Sequence, residues 1–79
     1  MNPTEPQMIR IGATIREMRE MRGMTQDQLS NAAMLSRSYV ALIETGRKTA
    51  STKAIARIAA ALHVPQISLI AIDDTEDAA

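Results

Sequence analysis

The sequence predicts an all-α fold, a compact domain of five short helices. Three observations carry that expectation. Apolar residues recur at three- and four-residue intervals, not in alternation. Ala is frequent, Phe and Trp are absent, and Gly and Pro number three each in 79 residues. Ser, Thr and Gly fall where helices would start and stop.

Residues 1–7 hold Pro3 and Pro6 and read as a flexible N-terminal arm. The first helix is expected from about Gln7 to Met21, with Ile11, Ile15 and Met18 on one face. Gly23 would end it in a left-handed turn. Thr25 with Gln28 three residues later is a capping box that opens a second helix, to about Ala33. Leu29, Ala32 and Ala33 form its expected inner face. Met34 and Leu35 would make a tight turn. Ser36 then caps a third helix, Arg37 to Glu44, with Val40 and Ile43 inward and Gly46 as its stop. Residues 45–51 are polar and read as a loop. Ser51 or Thr52 starts a fourth helix to about Leu62, lined by Ile55, Ile58, Ala59 and Leu62. Pro65 suits the first turn of a short fifth helix. Residues 8–72 thus form one domain, and the acidic stretch 73–79 is expected to be disordered.

Composition removes several classes of function. With no Cys there is no disulfide and no Cys-ligated zinc, and one His cannot build a His-rich metal site. An apolar share of 46% is too high for a disordered chain. The apolar runs are too short for a membrane span or a secretory signal, so a cytoplasmic location is expected. No Cys nucleophile or phosphate-binding Gly loop is present, and nothing places His63 beside a Ser and an acid. The reading is therefore of a protein that is not an enzyme, with no catalytic residues, metal or cofactor.

Charge is unevenly placed. Nine basic and nine acidic residues cancel, but Asp73, Asp74, Glu76 and Asp77 crowd the C-terminal end. Residues 1–72 hold nine cations and five acids, a net of +4. Such asymmetry suggests an anionic partner for the body. Two short helices joined by a tight turn make a helix-turn-helix, whose second helix enters the DNA major groove while the first crosses the backbone.

The residues also carry a family pattern. Ile11-Gly12, Ile15-Arg16, Arg19, Gly23, Thr25-Gln26 and Leu29 make its first half. Ser36-Arg37-Ser38-Tyr39-Val40, Ile43-Glu44 and Gly46-Arg47 make its second, and Ile58-Ala59, Ala61-Leu62 and Val64 close it. Over about residues 9–70 the sequence resembles the Cro/C1-type, or lambda-repressor-like, helix-turn-helix DNA-binding family, also called the xenobiotic-response-element type. The resemblance implies five helices and transcriptional regulation, usually as a symmetric dimer. It departs from the family at Met34, where the turn usually has Gly, and at Ala50, often Pro. His63 also stands where a helix-ending Gly is frequent.

Roles follow for the third helix and its surroundings. Arg37 can offer a bidentate fork to guanine O6 and N7. Ser38 can bond a base edge or a phosphate; Ser36 can do so or serve only as a cap. For Tyr39, the one aromatic residue, the family position implies a phosphate contact through the hydroxyl, while a core ring is the plainer reading. Ala41 is small enough for close approach to the groove. Leu42 either touches a thymine methyl or packs under the loop. For Gln26, at a helix N-terminus, the resemblance implies a place beside the DNA backbone, while a plain helix former is the simpler reading. Arg47, Lys48 and Lys53 would neutralise phosphates or enter the minor groove. Arg10 and Arg16 are lesser candidates for backbone contact.

Arg19 and Glu44 match a family pair that forms a partly buried salt bridge. Met18, Met21, Met24 and Met34 are expected to fill core gaps left by the missing aromatics. His63 suits a helix C-terminus. Ile67, Ile70 and Ile72 offer more apolar surface than a short helix can bury and suggest a dimer interface, with Leu69 as the core member.

The partners expected are double-stranded DNA, a second copy and a regulatory protein, with no membrane. The leading reading is a sequence-specific regulator, for example a repressor, acting as a homodimer on a palindromic operator. Small phage repressors, restriction–modification controllers, antitoxins and compact bacterial regulators all fit. The alternative is a protein-interaction module, such as an antitoxin that masks a partner through the isoleucine patch and acidic tail.

Overall fold

The computed structural model describes residues 5–70, and among them the only regular elements are five helices. They are α1 (Glu5–Met21), α2 (Gln26–Ala33), α3 (Arg37–Glu44), α4 (Thr52–Leu62) and α5 (Ile67–Ile70). The third helix spans the residues expected, and α2 and α4 stop where expected. The first begins two residues earlier than expected, so Glu5, Pro6 and Gln7 belong to α1 and not to an arm. Proline is well suited to a first turn, because its fixed φ is already helical and its missing N–H would have no partner there. Glu5 adds a favourable charge at the positive end of the helix dipole. Pro65 lies just before α5, where its carbonyl accepts a bond from the Ser68 N–H at 3.0 Å. The rest of the expected arm, Ile72 and the acidic stretch 73–79 lie outside the described residues.

One core unites the helices. Ile15, Leu29, Val40, Ile43, Ile58, Leu62 and Leu69 are fully buried, with at least one from each element. Ile11, Met18, Met24, Leu35 and Val64 pack around them half-buried. α1 packs on α3, α2 on both α3 and α4, and α5 on α1 and α4. Double coverage shifts the inner face of α2. Ala32 is exposed, and Ser30 is buried in its place. Burying that serine is tolerated because its hydroxyl donates to the Asp27 carbonyl at 2.9 Å. Met21 and Met34 are exposed, contrary to the expected filling of core gaps; only Met18 and Met24 do that work. Both exposed methionines sit at helix ends, where the chain turns away from the core.

The approach of α1 to α3 is set by Gly12. A Cβ at this buried position would overlap the Ile43 carbonyl and lie 3.0 Å from that of Glu44. The closeness matters because it brings the side chain of Arg19, two turns further on, against the end of α3.

α1, α2, α3 and α4 end the same way. Met24 N–H bonds the Arg19 carbonyl and Gly23 N–H that of Glu20. The same pair of bonds links Leu35 to Ser30 with Met34 to Asn31, Arg47 to Leu42 with Gly46 to Ile43, and Val64 to Ala59 with His63 to Ala60. This is the Schellman arrangement, which needs a left-handed residue at each end. Gly23 and Gly46 supply it at φ 68° and 78°. Met34 and His63 supply it at φ 58° and 60°, with a Cβ that crowds the backbone.

Met34→Gly is therefore expected to stabilise the protein by up to about 1 kcal/mol. The left-handed penalty of about 1–2 kcal/mol exceeds the added unfolded-chain entropy of glycine. Little packing is lost, since Met34 is 71% exposed. Urea unfolding of the two proteins, showing a higher midpoint for the variant, checks this.

Candidate nucleic-acid interface

The site is built on one buried ion pair. Arg19 from α1 meets Glu44 at the end of α3 through two parallel bonds, Nε to Oε2 at 2.7 Å and Nη2 to Oε1 at 3.0 Å. The guanidinium's remaining nitrogen, Nη1, donates to the Met24 carbonyl at 2.8 Å. Gln26 Nε2 donates to the same Glu44 oxygen, Oε1, at 3.0 Å. The Glu44 side chain is 2% exposed and that of Arg19 10%. Hydrogen bonding to Glu44 raises the Arg19 pKa above its ordinary value, against the opposing effect of burial. One cluster thus ties together α1, the turn before α2, the first residue of α2 and the last residue of α3.

The N-termini of α2 and α3 lie beside this cluster. Thr25 Oγ1 accepts the Gln28 N–H at 3.0 Å while Gln28 Oε1 accepts the Thr25 N–H at 2.8 Å, completing the expected capping box. The Gln26 and Asp27 N–H groups begin the helix and have no intrahelical acceptor. Ser36 caps α3, its hydroxyl accepting the Tyr39 N–H at 3.0 Å. Arg19, Thr25, Gln26, Asp27 and Arg37 line an open recess. Arg37 Nε lies 3.9 Å from Asp27 Oδ1, with both side chains about two-thirds exposed. A pair this open contributes at most about 1 kcal/mol. Arg37 can therefore exchange Asp27 for a stronger acceptor at small cost.

The loop after α3 carries the other cations. Its beginning is anchored on one carbonyl: Leu42 O accepts the N–H groups of Arg47 at 3.0 Å and Lys48 at 3.2 Å, and the Thr45 hydroxyl at 3.1 Å. Gly46 rests on Ile9 of α1, and a Cβ there would come within 2.9 Å of the Ile9 backbone. Ser51 ends the loop as the cap of α4, accepting the Ala54 N–H at 3.0 Å.

Gln26 opens α2 and lines the recess with Arg37, while Ser36 caps α3 and Arg37, Ser38 and Tyr39 form its first turn. Arg47, Lys48 and Lys53 are exposed in and after the loop. Ala41 is half-buried and Leu42 partly exposed. Ser36 acts as the cap. The Tyr39 hydroxyl bonds within the protein, donating to the Thr49 carbonyl at 3.3 Å and accepting the Ser51 N–H at 3.1 Å. Arg16 pairs with Glu20 along α1 at 3.2 Å. Ile67 and Ile70 are exposed, Leu69 is buried, and His63 takes the left-handed turn.

Three contacts escape the sequence. Asp27 is not singled out by the sequence, and the fold brings Arg37 of α3 alongside it. Gln26 reads as a phosphate ligand, while its bond to Glu44 depends on chain separated by 18 residues. Arg57 of α4 is not singled out by the sequence, and its Nη1 reaches the Met34 carbonyl at the end of α2, 3.4 Å away.

Comparison with known proteins agrees with this architecture. A helix-turn-helix domain family profile matches residues 10–69. An immunity repressor protein of Bacillus phage phi105 is 40% identical over 65 residues, covering 82% of this chain and 44% of the repressor. The transcriptional regulator ClgR of Mycobacterium tuberculosis H37Rv is 35% identical over 66 residues, 84% of this chain and 58% of that protein. The chain thus spans about half the length of these relatives. The restriction-modification controller C.AhdI of Aeromonas hydrophila superposes with a TM-score of 0.79 at 31% identity, over 81% of this chain and 97% of that one. The protein belongs to the helix-turn-helix domain family, of the Cro/C1 type. Among its similar relatives are a phage repressor and a bacterial transcriptional regulator.

The buried pair gives a stability prediction. Glu44→Ala leaves the Arg19 charge without its main acceptor and is expected to cost about 3–5 kcal/mol. Replacing both partners, Arg19→Met with Glu44→Leu, is expected to cost less than Glu44→Ala alone. Urea unfolding of the single and double variants measures the difference, and equal losses would contradict the coupling.

Proposed function

We propose that the protein is a sequence-specific DNA-binding transcriptional regulator, with α3 and its cap Ser36 in the major groove. The observation that carries this is Arg37. It stands on the first turn of α3, two-thirds exposed, beside the open N-terminus of α2, and its only ion pair among the described residues is the loose one to Asp27. A cation at the positive end of a helix gains nothing from the dipole. It is well placed to meet guanine O6 and N7 once the helix enters a groove.

The other roles follow from placement. Gln26, oriented by Glu44, and the first N–H groups of α2 meet one phosphate. Ser38 and Leu42 face bases, Ala41 lets the helix approach, and Ser36 stays a cap. Arg47, Lys48 and Lys53 meet the backbone. The similar phage repressor and ClgR are named as regulators, which supports the same class of function here.

The regulator acts as a homodimer on a palindromic operator. Ile67 is 62% exposed and Ile70 47%, on either side of buried Leu69. Covering such a pair with its own copy gives the two-fold symmetry that an inverted repeat requires. The same patch would serve an interaction module that masks another protein, and the DNA experiments separate the two.

Selection from a random DNA library is expected to enrich an inverted repeat with half-site centres about 10 bp apart. On the selected site, Arg37→Ala should cost about 1–3 kcal/mol and relax preference at one base position. Lys48→Ala should weaken all sequences alike and reduce the salt slope by about one. No enriched motif, or equal loss from both variants with unchanged specificity, would overturn these assignments. Ile67→Asp with Ile70→Asp is expected to give a folded monomer. Sedimentation equilibrium reads its mass and circular dichroism its helix content.

A further inference from the structure

Tyr39 is the only aromatic residue, and it lies half-buried at the foot of the cationic loop. Its hydroxyl proton goes to the Thr49 carbonyl at 3.3 Å, and its oxygen accepts the Ser51 N–H at 3.1 Å. The Lys48 ammonium stands 5.8 Å from the centre of its ring, within cation–π range. The first part of the loop is already fixed to α3 through the Leu42 carbonyl. Tyr39 thus fixes the second part to the same helix, three residues earlier in the chain. Both ends of the loop are held by one turn of α3.

We propose that Tyr39 is a positioning residue: it locks the loop 45–51 to α3, so that Lys48 reaches the DNA backbone as part of one rigid unit with Arg37, and its hydroxyl does not itself bind phosphate. The inference rests on the DNA-binding reading above. Its physical basis is preorganisation. A flexible loop cation must be ordered at the moment of binding, at an entropic cost that a fixed one has already met. A hydroxyl with its one proton given to a carbonyl has none left to donate to a phosphate oxygen, and phosphate needs a donor.

Tyr39→Phe keeps the ring and its contact with Lys48 and removes both loop bonds. Three measurements test the lock. In the free protein, the Ser51 amide is expected to exchange with solvent about tenfold faster in the variant. The Ala54 amide, bonded to the Ser51 hydroxyl, serves as the reference for an intact α4. On DNA, the variant is expected to bind about 3- to 10-fold more weakly, as for loss of ordinary hydrogen bonds. That loss should fall equally on all sequences and lower the salt slope by up to about one.

In a Lys48→Met background the same change is expected to have little further effect on affinity. An equal affinity loss with or without Lys48, together with unchanged exchange at Ser51, would overturn the proposal in favour of a direct phosphate contact. Relaxed base preference would overturn it in favour of a role at the bases. A chain with a protected Ser51 amide but no affinity for DNA would overturn the DNA reading instead, and with it the function given to the lock.

Discussion

The structure turns on the bidentate contact between Arg19 and Glu44. Both side chains are nearly buried, and all three guanidinium nitrogens have an oxygen partner. A buried charge without such partners would be expelled or would cost several kcal/mol. The contact therefore dictates where the end of α3 lies relative to α1. The Met24 carbonyl and the Gln26 amide join the same cluster, so the entry into α2 is fixed with it. The angle between the two helices of the motif is set by a polar network on one side and by apolar packing on the other. A purely apolar contact would leave more freedom, because packing alone tolerates sliding and rotation better than directional bonds do.

Around that cluster the chain solves one problem four times. Short helices expose many unpaired carbonyls for their length, and each of α1 to α4 closes its end with the same two bonds and one left-handed residue. Two of those residues are glycine and two are not. At Met34 and His63 the fold accepts backbone strain in return for a sharp reversal. The turn at Met34 is what lets α3 leave α2 within three residues. The helix-turn-helix geometry is thus obtained at some expense in stability, in a domain small enough that the core offsets the strain only because all five helices contribute to it.

Much of this was legible in the sequence. Helix caps at Thr25, Ser36 and Ser51 are local chemistry, and they occur where the side-chain spacing says they should. The glycines at 23 and 46 mark their turns because no other residue adopts a positive φ without penalty. The start of α1 was misplaced because a proline reads as a breaker unless it falls in a first turn. At the candidate interface the sequence offers residue types and positions, and not the wiring between them. Arg37 and the loop cations stand out by type and position. The Asp27 partner of Arg37, the Glu44 partner of Gln26 and the Thr49 and Ser51 partners of Tyr39 do not, since each is a contact across a turn whose geometry the sequence does not state.

By itself the sequence determined the helices, where α1 to α4 stop, the apolar faces of α1, α3 and α4 and the pairing class of Arg19 with Glu44. Those follow from interactions within about four residues or from a strong family pattern. Only the tertiary structure decided which face of α2 lies inside, why Ser30 is buried while Ala32 is not, and which methionines serve the core. It also decided that the hydroxyl of Tyr39 is spent on the loop. These depend on two elements pressing on one residue at once, and no local propensity carries that information.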